Sequence, residues 1–237
     1  MCSHFEALRQ CEDYEKYFHV TKPDTQGKPD MWPRYQGNFI RKPPATDPHD
    51  EAVPEREALI GRWGLVPWRL EPTPEKIKAA MKRSTFNARI EGIKKNYTFG
   101  PAWNRGQKCI VAADAFYEPD WRTNTNTNVN TRFTRADGQP MGIAGLWDLW
   151  TEPGKPPLMS FTMLTMNASE HALLKNYHQG EDEKRVVVIL PENGYSKWLE
   201  ASPEMSMDFI QHYPHDALMA TPMPPKPKKA TQQGELL

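Results

Sequence analysis

The chain has 237 residues, with 30 basic and 30 acidic side chains and a mean hydropathy of −0.76. No run approaches the ~18 apolar residues of a spanning helix. With a net charge of zero there is no global field for nucleic acid, so any such surface has to be local. Three cysteines, Cys2, Cys11 and Cys109, are too few and too uneven for a disulfide framework and lack zinc-ligand spacing. The opening Met1-Cys2-Ser3-His4-Phe5-Glu6 has neither the basic nor the apolar segment of a secretion signal. The expectation is a reduced, cytoplasmic protein with no membrane span, no metal and no cofactor, working as a monomer.

Phe5, Leu8, Tyr14 and Phe18 recur at helical spacing and predict a first helix within 5–20. Residues 22–58 are rich in Pro and charge and read as long loops with short strands. Helices are predicted over Pro74–Lys82 and Phe86–Lys95. Six short β-rich runs follow: Cys109–Ala112, Ala115–Glu118, Arg132–Arg135, Gly142–Leu149, Ser160–Met166 and Val186–Leu190. The Thr/Asn run at 123–128 and the Pro/Gly run at 151–157 read as hairpin loops. Further helices are predicted over Ser169–Asn176, Gly194–Leu199 and Met205–Gln211. The 23 prolines, about twice the usual ~5%, spread along the chain and imply many turns. Strands dominate the middle, with helices between and after them, which predicts an α+β fold with a mostly antiparallel sheet. One domain over 1–221 is expected. The Pro/Lys-rich 222–237 has almost no core residues and is expected to be a disordered tail.

Four features carry potential chemistry. Cys2 becomes the N-terminal residue if Met1 is removed. Its α-amine and thiol, with ordinary pKa values of about 8 and 8.5, then form a 1,2-aminothiol. Such a pair condenses with an aldehyde to an imine and closes to a thiazolidine. A cysteine at position 2 is nonetheless an ordinary residue in most chains. Asn87, Arg89 and Glu91 place an amide, a cation and a carboxylate together, although an N-cap and surface charges would also explain them. Glu118 ends an apolar strand between aromatics, which suits either a carboxyl of raised pKa acting as acid or base or a solvent-facing strand end. His178 lies in the loop before a core strand, where a histidine can move protons near neutral pH; it is also one of seven histidines.

Residues 82–108 carry Lys82, Arg83, Arg89, Lys94, Lys95, Arg105 and Lys108 against Glu91 alone, a local balance of +6. Phe86, Tyr97, Phe99 and Trp103 interleave with them. That pattern suits single-stranded nucleic acid, while composition favours the plainer alternative of a solvated face over core aromatics.

The order of these blocks is more specific than any one of them. Met1-Cys2, Arg62-Trp63-Gly64-Leu65-Val66-Pro67-Trp68, Thr85-Phe86-Asn87-Ala88-Arg89-x-Glu91, Cys109 through Glu118, Met163 through Ala168, His178 and Arg185 through Leu190 follow one another. The chain resembles the SOS response-associated peptidase family, the abasic-site processing proteins, from Cys2 to about Trp198. The resemblance implies a single α+β domain with a strand-rich, barrel-like core. It implies an N-terminal Cys2, freed of Met1, that captures the aldehyde of an abasic site in single-stranded DNA as a thiazolidine crosslink, and an enzyme that also self-processes, with AP-lyase-like chemistry possible. It assigns Asn87 to positioning, and Glu118 and His178 to proton transfer. Arg89 and Arg185 become phosphate ligands, and Trp63, Gly64 and Pro67 a loop wedged beside the bases. Ser3-His4 departs from the family's usual Gly-Arg, and Pro119 stands where Trp is common. His178 lies seven residues before Arg185 rather than two, so Glu183 occupies the ungapped histidine position. A cysteine peptidase using Cys2, and a non-covalent single-stranded DNA-binding module, are the alternatives.

Overall fold

The computed structural model describes residues 2–23, 28–44, 53–122, 128–178 and 182–223. In chain order the strands are β1 (Phe5–Ala7), β2 (Asp30–Met31), β3 (Gln36–Arg41), β4 (Glu57–Trp63), β5 (Asn87–Arg89), β6 (Lys108–Asp120), β7 (Val129–Arg135), β8 (Met141–Trp150), β9 (Leu158–Asn167), β10 (Arg185–Val187), β11 (Ile189–Leu190) and β12 (Leu218–Met223). The α-helices are α1 (Cys11–Phe18), α2 (Pro74–Lys82), α3 (Gly100–Asn104) and α4 (Tyr195–Glu200). None of the helices is long and apolar enough to cross a membrane.

Five strands close on themselves. β3 pairs with β4, β4 with β9, β9 with β8, β8 with β6, and β6 again with β3. Closure removes the exposed edges that a flat sheet of this length would leave. All but one of these pairings are antiparallel, the exception being β4 with β9. The fold is therefore the α+β barrel of the sequence expectation.

Alternation along the strands divides the apolar residues into two sets. Ile110, Ala112, Ala144, Leu146 and Leu164 point outward, where Tyr14 and Phe18 of α1, Trp103 of α3 and Trp198 of α4 cover them. Phe39, Trp63, Val111, Ile143, Phe161 and Met163 form the inner set, and Cys2 and Phe116 pack with it.

Two strands change partners along their length, and this builds the site. The first half of β6 lies between β3 and β8; its second half lies between β1 and β7. Phe5 stands opposite Phe116 in antiparallel register. Running β1 back toward its start therefore carries Cys2 to the level of Glu118 and Pro119. On β9, one edge is shared in turn by β4, which reaches Phe161, and by β5, where Asn87 stands opposite Met163. The intervening excursion contains α2, capped by the Thr73 side chain and begun by Pro74.

Several element expectations need correction. Residues 5–7 form a strand, because β6 offers them a free edge, and the helix starts only at Cys11. The helix expected over Phe86–Lys95 is instead strand β5 followed by a 3-10 turn at Ile93–Lys95, broken at Gly92 in the left-handed region (φ 72°). Pairing with β9 overrides the helical pattern there. Residues 169–176 and 205–211 form only short 3-10 turns, Leu174–Asn176 and Met205–Phe209. The short strands expected among the loops of 22–58 are present as β2, the barrel strand β3 and the first two residues of β4. Strand β12 continues to Met223, two residues into the expected tail; the rest of that tail and most of the Thr/Asn loop lie outside the described residues.

At Gly145 the barrel wall leaves no room for a side chain. A Cβ there would sit 2.4 Å from the Thr162 carbonyl oxygen and 2.8 Å from the Cys109 Sγ. The carbonyl belongs to β9 and cannot yield without moving that strand. Gly145→Ala is expected to destabilise the protein by about 2–3 kcal/mol, read as a lower denaturant midpoint with an unchanged m-value.

Candidate active site

Cys2 is buried, and its thiol donates to the His4 carbonyl oxygen at 3.3 Å. The Tyr117 amide donates to that same oxygen at 3.0 Å, so β6 holds the turn that holds the thiol. Burial, reinforced by the charge of Glu118, pushes the thiol up to about 12. At neutral pH the cysteine is therefore a thiol, and it needs a base before it can attack.

Asn87 reaches the same residue from the other side. Its Nδ2 donates to the Cys2 carbonyl oxygen at 2.6 Å. Its Oδ1 is buried and has no hydrogen-bond partner among the described residues. An unsatisfied buried acceptor of this kind costs about 1–3 kcal/mol and is available to a ligand's donor.

Glu118 is 1% exposed. Burial pushes its carboxyl up to about 7, so near neutral pH it is divided between acid and carboxylate. His178 Nε2 lies 3.5 Å from Glu118 Oε2 and 2.8 Å from the Arg185 carbonyl oxygen. A carbonyl only accepts, which assigns the proton of the neutral ring to Nε2. Burial pushes His178 down to about 4, so that neutral form prevails at physiological pH. Its backbone sits in the left-handed region (φ 72°), tied to β6 by its amide bond to the Pro119 carbonyl oxygen (3.0 Å). A non-glycine residue held there stores about 1–3 kcal/mol.

The sequence-derived candidates thus divide. Cys2, Asn87, Glu118 and His178 come together in one buried cluster. Glu183 does not join it. Its two oxygens bind Arg89 and Arg185, each at 2.6 Å. Arg185 is 1% exposed, and it also bonds Glu91 (2.8 Å) and the Thr165 carbonyl oxygen (2.7 Å). This placement makes it a buttress between β9 and β10, not an open phosphate ligand. Arg89 keeps half its surface in solvent.

The Trp63 loop also needs correction. Trp63 is fully buried, its indole nitrogen donates to the Phe86 carbonyl oxygen at 2.9 Å, and its ring packs edge-on against Phe5. It supports β1 and β5 from within and offers no face to a base. Gly64 (φ 130°) and Pro67 are buried as well, and the exposed residues of this segment are Trp68 and Arg69. Of the basic stretch, Lys108 is buried against the Ala201 carbonyl oxygen and Arg105 binds Asp148 at 2.9 Å. Phe99 and Trp103 are core residues. Lys82, Arg83, Lys94 and Lys95 remain exposed.

His4 was visible in the sequence only as a departure. In the structure its ring is sandwiched between Trp32 (4.3 Å, 7°) and Tyr117 (4.0 Å, 10°), and Nε2 bonds Asp30 at 3.0 Å. Trp32 lay in a stretch without periodicity, and nothing in the sequence singled it out.

A small barrel thus gathers a buried residue-2 thiol, an amide, a neutral imidazole and a carboxyl with a pKa near 7 in one cluster. The family described as SOS response associated peptidase (SRAP) matches residues 1–228, and the chain belongs to that family. It is 30% identical over 164 residues to the abasic site processing protein YoqW of Bacillus subtilis, covering 67% of this chain and 66% of YoqW. It is 26% identical over 195 residues to the abasic site processing protein HMCES of Gallus gallus, covering 70% of this chain and 55% of that relative. The match thus spans just under two thirds of the first relative and little more than half of the second. A crystal structure of a Bordetella bronchiseptica protein superposes with a TM-score of 0.85 at 47% identity, covering 94% of this chain and 99% of that one. A Bacteroides thetaiotaomicron protein shares the fold at a TM-score of 0.74 and 17% identity, covering 94% and 92%.

The raised Glu118 pKa has a consequence for stability. From its ordinary 4.5 to about 7, the folded protein holds a proton that the unfolded chain releases, so stability falls as pH rises through that window. Glu118→Gln removes the effect. Its stability relative to wild type is expected to improve by about 2 kcal/mol between pH 5 and pH 8, measured by denaturant titration at each pH.

Proposed function

We propose that the protein processes abasic sites in single-stranded DNA, forming a thiazolidine crosslink through Cys2 once Met1 has been hydrolysed away. The observation that carries this reading is the convergence of Asn87, Glu118 and His178 on Cys2 at the mouth of the barrel. The relatives' names and the shared family support it.

In the proposed reaction the ring-closed abasic sugar opens to its aldehyde. The Cys2 amine adds to the aldehyde carbon, and the carbinolamine loses water to give an imine. The thiol sulfur then adds to the imine carbon and its proton passes to nitrogen, so one water is released overall. Asn87 holds the Cys2 backbone while these bonds form. Glu118 is the proton carrier: as carboxylate it takes the thiol proton, and as acid it supplies one to the departing oxygen. His178, neutral at this pH, acts as an Nε2–H hydrogen-bond donor rather than as an imidazolium acid.

The contact of the thiol favours this reading over peptidase turnover. A cysteine peptidase pairs its nucleophile with an imidazole, whereas the Cys2 thiol here bonds a backbone carbonyl. A plain DNA-binding module would have no use for a buried carboxyl poised near neutrality.

Intact mass after mixing with a single-stranded oligonucleotide bearing one abasic site should read loss of Met1 and a one-to-one adduct minus one water. Cys2→Ala should form none; an undiminished adduct in that variant sinks the reading. Glu118→Gln should slow adduct formation about 100-fold or more and flatten its pH dependence near 7, followed as adduct yield against time across pH 5–9.

A further inference from the structure

Beside Cys2 the surface carries an aromatic stack that the proposed chemistry leaves unused. Tyr117, His4 and Trp32 lie face to face in that order, with centroid spacings of 4.0 and 4.3 Å. The inner end is fixed, since Tyr117 belongs to β6. The middle ring belongs to the residue whose carbonyl holds the Cys2 thiol. The outer end is Trp32, whose inner face is covered by His4 while 44% of the residue stays exposed. A large apolar ring left open to water at the end of a rigid stack costs hydration free energy unless something covers it.

The surroundings say what covers it. The Tyr35 amide bonds the Trp32 carbonyl oxygen at 3.0 Å, and the Arg34 amide bonds the Trp63 carbonyl oxygen at 2.7 Å, fixing this turn against the site. Arg34 is exposed, sits at φ 77°, and its guanidinium reaches the Lys82 carbonyl oxygen at 2.9 Å. Lys82 and Arg83 are exposed at the same place, and Lys28 lies over the Tyr35 ring at 5.1 Å. These cations outnumber the exposed Asp30 carboxylate, which bonds His4 Nε2 at 3.0 Å, and an aromatic face with a net cationic surround is the arrangement that takes a nucleobase with its phosphates. A protein partner would find there no broad apolar patch, only two rings among charges.

We propose that Trp32 is the stacking platform for the nucleobase adjacent to the abasic nucleotide, with Arg34, Lys82 and Arg83 facing the phosphates on that side. This rests on the reading that Cys2 receives an abasic site in single-stranded DNA. A missing base leaves its neighbour without a stacking partner, and the Trp32–His4–Tyr117 column replaces that partner at a set distance from the cysteine. The consequence is a preference for a large base on one side of the lesion. Trp32 is thus a specificity-determining residue and has no part in the bond-forming steps.

The test uses short single-stranded oligonucleotides with a central tetrahydrofuran residue, which has no aldehyde and so does not depend on Cys2 chemistry. One neighbour at a time is adenine or a second tetrahydrofuran. Wild-type protein is expected to bind about 5- to 50-fold more tightly with adenine on one particular side and to discriminate little on the other. Trp32→Ala should lose that one-sided preference, and Trp32→Phe should keep most of it. If Trp32→Ala fails to fold, Trp32→Leu, which still covers His4 but has no π face, serves the same comparison. The proposal is overturned if wild type is indifferent on both sides, if the Trp32 variants keep its preference, or if they weaken all the oligonucleotides equally. A one-sided preference without any Cys2 adduct on an aldehydic site would leave the platform standing and remove the crosslinking reading.

Discussion

The hydrogen bond from Asn87 to the Cys2 carbonyl joins two parts of the chain that only barrel closure brings together. β5 lies where it does because β9 extends past the end of β4 and offers the vacated edge. β1 lies where it does because β6 extends past β3 and offers another. The two overhanging strands form the mouth of the barrel, and Cys2 and Asn87 meet across it. Trp63, buried between Phe5 and Phe86, keeps the two short strands at that spacing.

The electrostatics of the site follow from this depth. A thiol, a carboxyl and an imidazole share a volume with little water, and each is driven toward its neutral form. For the thiol and the imidazole that means neutrality across the physiological range. For Glu118 the balance falls near pH 7, so the carboxyl is the group able to give and take a proton there. Solvent exposure would restore an ordinary carboxylate and leave the site without that carrier. The arginines follow the same physics with the opposite outcome. Glu183 and Glu91 pair with Arg185, which permits its burial and makes it part of the frame.

Much of the site was legible as types and order. Cys2, Asn87, Glu118 and His178 are separated by up to 176 positions in sequence, yet each stands in a recognisable block, and the barrel collects all four. What could not be read was which blocks face inward. Trp63 and Arg185 looked like ligand contacts and are internal supports. Lys108, counted with a basic surface, is buried with its ammonium on a carbonyl. Trp32, in a segment without periodicity, proved to stack beside the cysteine.

By itself, the sequence determined the strand-rich middle, the helix over Pro74–Lys82 and the chemical identity of the four clustered residues. These are local properties, set by side-chain alternation, turn residues and functional groups. Tertiary structure decided that residues 5–7 and 87–89 are strands, because their hydrogen bonds are satisfied by β6 and β9, far away in sequence. It also decided the protonation of the site, because a pKa responds to the water excluded around a group, and that exclusion exists only once the barrel has closed.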